Sequence, residues 1–370
     1  MAEVENLEEN TVDRKKARAA LKRQLAALNK KDSLHLDFGL INPVKFIETP
    51  FVTLNRLIGG GIPRGKFTTI AGPERTAKGT LLLQTIGHKM QQDPDFTVLW
   101  TDAEDALDED WCIKHGIDLE RFVVQKYSAD APYFEKLLDD GLKLIETGGI
   151  DMWVIDSVAA LMPKAEEGKD IEENTMLDLQ RKLPVFFRKA TRIISLANTS
   201  CVLIGQIYNV PNAQYVQQEV KGGNALKHFA HLRLLTRRGN QQEAGPKTDI
   251  KMPDGTVRKV MSGWAAHIKV DKTRINENEG RSIMLKFVYG RGLDSVEASI
   301  TALFAHDVFS RSGGWFYHDK LPEGKMQGKD NLILHLKENS DLREELITEL
   351  DKELVENFAE EAIDDTIETE

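Results

Sequence analysis

The chain has 370 residues, of which 41% are hydrophobic and 29% are charged, a composition that excludes a fibrous or largely disordered protein. No apolar run approaches bilayer length and the acidic start of the chain is unlike a signal peptide, so we expect no membrane segment. The formal net charge of −10 is uneven: residues 341–370 contain thirteen acidic and two basic residues, so the remainder is close to neutral and nucleic-acid binding is not excluded.

The first predicted element is a helix over residues 12–29. Ala17, Leu21, Leu25 and Leu28 form one apolar stripe, and basic residues surround it. Such a stripe packs either against the core of its own chain or against a neighbouring subunit, and both interpretations stay open at this point. The cysteines, Cys112 and Cys201, lack metal-site spacing and indicate reduced thiols of a cytoplasmic protein.

A predicted strand over residues 66–71 leads into a glycine-led loop and then an apolar helix, which is typical of a phosphate-binding loop. Backbone N–H groups of such a loop surround phosphates, and its lysine reaches the terminal ones. Two positions depart from the usual motif, because Ala77 replaces its second glycine and Gly79 replaces its magnesium-binding hydroxyl. The candidate nucleotide-binding residues are Gly72, Pro73, Glu74, Arg75, Thr76, Ala77, Lys78, Gly79 and Thr80.

Further predicted strands over residues 97–102, 151–156 and 200–206 alternate with predicted helices over 133–147 and 179–196. This alternation favours an α/β fold with a doubly wound, mostly parallel sheet. Ligands of such sheets lie at the carboxyl ends of the strands. Glu104, Asp156 and Gln206 follow those ends, as the phosphate loop does, so the sequence predicts a nucleotide site there.

Each of these polar residues has a functional and a structural interpretation. Asp156 has the position of a carboxylate that holds magnesium beside a phosphate loop, or it caps the next turn. Glu104 could orient and deprotonate an attacking water, or it is solvated. The Gln206 amide could sense a γ-phosphate, because it both donates and accepts hydrogen bonds, or it is a polar strand end.

Two polar segments without periodicity, residues 164–175 and 208–223, follow the strands that carry site residues. Loops of this kind are functional or disordered, and their Gly, Asn, Gln and Tyr content suits nucleic-acid contacts. Arg181 and Arg188 would share one face of the intervening helix, which could equally be solvated. Beyond residue 239 come strand-like runs at 265–272 and 283–289, a compact stretch at 294–339 and a charged helix at 342–354.

The motifs together resemble the RecA family of homologous-recombination ATPases over roughly residues 35 to 345, with a divergence similar to phage UvsX-type recombinases. The segments that carry the resemblance are G-P-E-R-T-A-K-G-T, D-A-E-D-A-L-D, I-D-S-V-A-A-L-M-P-K-A-E, G-G-N-A-L-K, Y-G-R-G-L and G-G-W-F-Y. The resemblance implies a RecA-type P-loop ATPase core, an N-terminal helix and a small α/β C-terminal domain. We place these parts at residues 1–38 (helix and linker), 39–292 (core), 293–340 (C-terminal domain) and 341–370 (acidic tail).

For ATP and Mg²⁺, the resemblance implies a site between two subunits of a filament. The catalytic residues would be Glu104, Lys78, Gln206, Lys272 and Arg274, with the last two acting on ATP in the neighbouring subunit. Asp108, Trp111 and Tyr289 would hold the adenine or ribose, and Asp156 the magnesium. Thr80 or a water would take the place of the hydroxyl that Gly79 lacks.

For DNA, the resemblance implies two loops lining the filament axis and a duplex-binding C-terminal domain. The matching residues are Lys164, Met176, Arg181, Arg188, Tyr215, Gly222, Gly223, Arg311 and Lys329. Pro184 replaces a serine that contacts phosphate in the family, so this contact should be lost. The acidic tail would compete with DNA for basic surface.

The expected function is ATP-dependent strand exchange, in which filaments on single-stranded DNA pair it with a homologous duplex and hydrolysis allows turnover. The expected partners are single- and double-stranded DNA, further copies of the chain, and single-strand-binding and loading proteins, in the cytoplasm of a bacterial or phage-infected cell. The altered phosphate loop motivates an alternative, a DNA-filament protein that binds ATP but hydrolyses it poorly. A ring helicase would lack the second DNA loop that G-G-N-A-L-K closes.

Overall fold

The computed structural model describes residues 16, 19–24, 43–164, 176–209, 218–220, 224–239, 245–251, 256–350 and 352. The chain separates into two compact units, Met1–Val44 and Lys45–Glu370. In the first unit, residues 19–24 are helical, inside the helix predicted for residues 12–29. Tyr215, Gly222 and Gly223 lie outside the described residues, as does the side chain of Met176.

Strands and helices are interspersed along the second unit. The strands are β1 (Phe46–Ile47), β2 (Ile62–Pro63), β3 (Phe67–Gly72), β4 (Val98–Asp102), β5 (Phe122–Gln125), β6 (Met152–Asp156), β7 (Ser200–Asn209), β8 (Gln218–Val220), β9 (Leu232–Arg238), β10 (Lys247–Lys251), β11 (Val257–Met261), β12 (Gly263–Thr273), β13 (Ser282–Val288), β14 (Gly292–Leu293), β15 (Ser310–Ser312), β16 (Trp315–Tyr317) and β17 (Lys325–Gln327). The α-helices are α1 (Val52–Ile58), α2 (Lys78–Gln92), α3 (Glu109–Lys114), α4 (Phe134–Glu146), α5 (Met176–Ala197), α6 (Asn224–Phe229), α7 (Ser295–Ala305), α8 (Lys329–Glu338) and α9 (residues 340–350). Short 3₁₀ turns lie at Leu119–Arg121, Val158–Ala160 and Pro322–Gly324.

A ten-stranded sheet organises the core, in the order β14-β13-β12-β9-β3-β7-β6-β4-β5, with β8 paired to β7. The run from β9 to β5 is parallel, whereas β12, β13 and β14 extend it antiparallel. The predicted mostly parallel sheet is therefore confirmed. The antiparallel extension is built from the strand-like runs predicted beyond residue 239.

The sheet is covered on both faces, as its strands' two-residue alternation requires. Ile70 and Val154 belong to one apolar cluster, which also contains side chains of α1 and α2. Their neighbours Ala71 and Ile155 belong to a second cluster, which contains side chains of α4 and α5. Because β3 and β6 each contribute to both clusters, with helices on either face, the sheet is doubly wound, as predicted.

The C-terminal part has its own apolar cluster, formed by α7, α8, α9 and the small sheet β15-β16-β17. Leu346 and Leu350 of α9 are buried in it, although the acidic tail was expected to begin at residue 341. Lys320 pairs with Glu345 and Glu349 of α9, both at 2.5 Å. We therefore propose that the compact domain continues to residue 350 rather than ending at 340.

The loop predicted over residues 208–223 is wrong in its bounds. Strand β7 continues to Asn209, and β8 pairs with its end, Ile207 opposite Val220 and Asn209 opposite Gln218. The polar composition of these flanks indicated a loop, but the flanks hydrogen-bond to each other as a hairpin. Among the helices described, none is long and apolar enough to cross a membrane.

Candidate functional site

The phosphate loop lies between the end of β3 at Gly72 and the start of α2 at Lys78. The Lys78 side chain folds back over the loop, where Nζ donates to the carbonyl oxygens of Gly72 (3.0 Å) and Pro73 (2.6 Å). Burial lowers the pKa of Lys78, while the nearby carboxylates of Asp156 and Glu104 oppose this change. The ammonium is thus held by neutral carbonyls, which an anionic phosphate could replace.

Close packing against β9 explains why the loop begins with a glycine. A Cβ on Gly72 would lie 2.3 Å from the carbonyl oxygen of Thr236, too close for any side chain. The Thr76 hydroxyl lies 2.7 Å from that of Thr236 and donates to the Pro73 carbonyl at 2.8 Å. Thr76 therefore braces the loop, and Thr236 has a role that no local sequence signal indicates.

Ala77 adopts the left-handed conformation (φ 66°, ψ 21°) at the position where the motif usually has a glycine. Arg75 is also left-handed, with φ 56°. The loop thus keeps a glycine-type backbone path without the glycine, at the cost of some strain.

Gly79 faces the carboxylate of Asp156. A Cβ on Gly79 would have one neighbour within 4 Å, Asp156 Oδ2 at 3.9 Å. The Thr80 side chain lies next to β14, because its Cγ2 is 3.1 Å from where a Cβ on Gly292 would be. Successive helical residues are about 100° apart around the axis, so residues 79 and 80 face different surroundings.

Three acidic residues meet beside the loop. Asp102 and Asp156 are opposite each other in the β4–β6 register. Burial, together with the charges of Glu104 and Asp102, raises the pKa of Asp156 to about 7, against the pull of Lys78. The site therefore has an excess of negative charge that a cation would relieve.

The donor set fits Mg²⁺ bound together with a nucleotide. Among the residues described, no group of three or more His, Cys, Asp or Glu is arranged to hold a metal. Mg²⁺ usually keeps several waters and takes one or two carboxylates plus substrate phosphates. Asp156 is the carboxylate that would serve in that way, and its oxygen chemistry suits this ion.

Glu104 and Gln206 are in direct contact. The Gln206 amide donates to Glu104 Oε1 at 3.2 Å, and the Ser157 hydroxyl donates to the same oxygen. Gln206 is also opposite Gly72 in the β3–β7 register. The predicted base, the predicted sensor and the phosphate loop therefore meet at one edge of the sheet. Ser157 was not singled out from the sequence, although it directly follows Asp156.

The predicted adenine residues Asp108 and Trp111 lie on α3. Asp108 caps this helix, since its carboxylate accepts from the Trp111 backbone N–H at 2.7 Å. The Trp111 ring packs edge-on against His115, with centroids 4.4 Å apart. A Cβ on Gly292 would lie 2.8 Å from the His115 ring, so the end of α3 and β14 are adjacent.

Tyr289 leads into the same segment. Its ring is 54% exposed, and Arg238 donates to its hydroxyl at 3.1 Å. Gln84 of α2 clamps the segment by accepting from Leu293 N and donating to Leu293 O, both at 2.9 Å. An exposed aromatic ring next to the phosphate-loop helix is available to cover a base.

Lys272 and Arg274 lie level with the start of β3, at the edge of the sheet opposite to the phosphate loop. Thr273, between them, is opposite Leu232, which is opposite Thr68 at the start of β3. The phosphate loop begins four residues later, so the offset along β3 alone is about 13 Å. Both cations bind the carboxyl end of α6, where the His228 carbonyl accepts from each at 3.2 Å. Neither can reach the phosphate loop of its own subunit.

The predicted DNA-contacting residues that the structure describes lie on several separate elements. Arg181 and Arg188 are exposed on one face of α5. The Lys164 backbone N–H donates to the Glu135 carboxylate at 3.2 Å. Arg311 and Lys329 belong to the C-terminal part.

Comparison with known proteins agrees with this geometry. A family model for the RecA N-terminal domain matches residues 16–294. Protein RecA of Acholeplasma laidlawii is 30% identical over 352 residues, which is 94% of this chain and 98% of that protein. Protein RecA of Acinetobacter baylyi is 28% identical over 354 residues (95% and 94%), and that of Acinetobacter baumannii is 29% identical over 343 residues (92% of each).

The family match covers most of the chain, including the phosphate loop, Glu104, Asp156 and Gln206. Because these relatives are bacterial proteins, the similarity to phage UvsX-type recombinases stays a prediction. With the fold, the sheet-edge site and full-length similarity in agreement, the chain belongs to the RecA family and is a RecA-type recombinase.

Proposed function

We propose that the protein is a DNA-dependent ATPase that forms filaments on single-stranded DNA and exchanges strands with a homologous duplex. The observation that carries this proposal is the convergence of Lys78, Asp156, Glu104 and Gln206 at one edge of the sheet. That set provides a phosphate-binding cation, a metal-type carboxylate, a base and an amide.

In this proposal the loop N–H groups and Lys78 bind the phosphates, and Trp111 and Tyr289 flank the adenine. When bound, Mg²⁺ supplies positive charge to the phosphate oxygens beside Asp156. Glu104 orients the attacking water and accepts its proton. The Ser157 hydroxyl and the Gln206 amide hold the Glu104 carboxylate in place.

The pairing of β7 with β8 suggests how the two sites communicate. Gln206 directly precedes the three β7 residues that pair with β8. Strands β7 and β8 flank the second proposed DNA-binding segment. A shift of the amide from Glu104 to a γ-phosphate would move the base of this hairpin. DNA affinity would then depend on the nucleotide, as turnover of a filament requires.

Lys272 and Arg274 support a site shared between subunits. Because both lie at the far edge of their own sheet, they can stabilise transferring phosphoryl charge only in a neighbouring copy. Burial and the neighbouring cations Arg274 and Arg233 lower the pKa of Lys272. An anionic partner would relieve the repulsion among these positive charges.

The test is ATP hydrolysis with and without single-stranded DNA. We expect DNA-stimulated turnover that Lys78→Ala abolishes. Lys89→Ala is the matched control, because Lys89 lies on the same helix and forms only a 4.0 Å pair with Asp93. A wild-type protein that coats DNA without turnover would refute the ATPase and favour the alternative, a poorly hydrolysing DNA-filament protein. That alternative is motivated by Ala77 and Gly79.

A further inference from the structure

A cavity of about 190 Å³ in the C-terminal part lies between α7, the sheet β15-β16-β17 and the start of α8. Its floor is apolar, formed by the buried side chains of Leu303, Phe309 and Phe316. The half-buried Phe304 forms a wall, with its ring 5.6 Å from that of Phe309 and 5.8 Å from that of Phe316. Pockets for drug-sized ligands are larger, so this cavity suits one planar ring system.

The rim of the cavity is charged. Lys329 Nζ lies 4.7 Å above the centre of the Phe304 ring, and the Arg311 guanidinium lies 5.6 Å from that of Phe316. Such contacts are weak at exposed sites, so a stacking ligand could displace the cations from the rings. Asp307 also lines the cavity, and its carboxylate can accept a hydrogen bond.

We propose that this cavity binds one unpaired nucleobase of DNA, with Arg311 and Lys329 on the phosphates that flank it. Aromatic walls stack on any base, and two exposed cations beside them match the charge of a nucleic-acid backbone. The Asp307 carboxylate would accept from an exocyclic amino group, which cytosine has and thymine lacks. This inference rests on the proposed DNA binding by the C-terminal domain and adds a preference for disrupted over fully paired duplex.

The experiment measures equilibrium binding of the full-length protein, without nucleotide, to three labelled duplexes. One is fully paired, one has a single unpaired cytosine, and one has an abasic residue at that position. Stacking of one base is worth enough to make the cytosine bulge bind about tenfold more tightly than the abasic bulge. Phe304→Leu, which keeps apolar volume but removes the ring, should bring this ratio to about one.

Lys329→Gln is the matched control, because losing a phosphate contact should weaken binding to all three duplexes by the same factor. Equal binding of the two bulges by the wild-type protein would overturn the inference without any variant, and would leave the cavity to an aromatic side chain of a partner protein. A ratio that survives in Phe304→Leu would overturn it too. Failure to bind even the fully paired duplex would refute the proposed duplex binding as well.

Discussion

Gly79 is the residue where this phosphate loop departs most from a magnesium site. A side chain there would point at Asp156, with Oδ2 3.9 Å from its Cβ and nothing closer. Residue 79 therefore offers no hydroxyl to Mg²⁺, while the Thr80 Cγ2 lies 3.1 Å from where a Cβ on Gly292 would be.

We predict that Gly79→Ser lowers the Mg²⁺ concentration for half-maximal ATP hydrolysis by about fivefold, the effect of one added oxygen ligand worth about 1 kcal/mol. Gly79→Ala is the control, because it adds the Cβ without the oxygen. A Mg²⁺ titration of turnover measures both variants. If serine and alanine give the same midpoint, a hydroxyl at residue 79 does not reach the ion.

Sequence patterns located the main residues of the site because their signals are local. Lys78, Glu104, Asp156 and Gln206 each follow a recognisable apolar strand, and parallel strands bring such ends together. Thr236 could not be found this way, since its contact with Thr76 spans 160 residues. The left-handed Ala77 also has no sequence signal, because alanine usually favours helical or extended backbone.

At the scale of elements, α5 contains Pro184 in its interior. Proline removes one backbone hydrogen bond from a helix and costs about 3 kcal/mol relative to alanine. The exposed Arg181 and Arg188 flank it, so the helix accepts this cost within its proposed DNA-binding face.

We predict that Pro184→Ala and Pro184→Ser both raise the free energy of unfolding, by about 1–3 kcal/mol in urea denaturation. The serine variant alone should also bind single-stranded DNA more tightly, because its hydroxyl restores the phosphate contact that the resemblance implies for this position. Equal DNA affinity of the two variants would mean that residue 184 does not reach a phosphate.

Elements that the sequence did not reveal are mostly short or polar. Strand β8 is a three-residue polar strand that exists only because it pairs with the end of β7. The β10–β11 hairpin has an exposed β11, so it has no alternation of buried and exposed side chains to detect. Long buried strands such as β6 were predicted within a residue because all but the last of their side chains are apolar and buried.

At the scale of the whole molecule, charge is concentrated at the C-terminal end. Residues 351–370 contain nine acidic residues and one basic residue, whereas α9 before them contributes Leu346 and Leu350 to the C-terminal cluster. A truncation that keeps this cluster must therefore retain the chain through Leu350.

We predict that truncation after Leu350 strengthens duplex binding at low salt and that the gain shrinks as salt rises, because the effect is electrostatic. Truncation after Ser340 should instead lower the melting temperature of the C-terminal domain. A salt titration of duplex affinity, with thermal unfolding of both truncations, measures this. A gain that is constant across salt would contradict competition between the acidic residues and DNA.

The separation between the phosphate-loop edge of the sheet and the edge with Lys272 and Arg274 leads to a prediction about assembly. The phosphate loop and Lys272 with Arg274 are separated by at least about 13 Å along the strands. The proposed site, which needs both groups, therefore cannot be completed within one subunit. Every complete site then needs an interface between two copies, related head to tail so that the arrangement propagates.

We predict that Lys78→Ala and Arg274→Ala are each inactive as ATPases, yet regain activity when mixed in equal amounts. About a quarter of the interfaces in a random copolymer would combine an intact phosphate loop with an intact Arg274. Lys78→Ala mixed with the double variant Lys78→Ala/Arg274→Ala is the control, because no interface there has Lys78. If both residues acted within one subunit, neither mixture would hydrolyse ATP, so turnover in the first mixture alone distinguishes a shared site from a self-contained one.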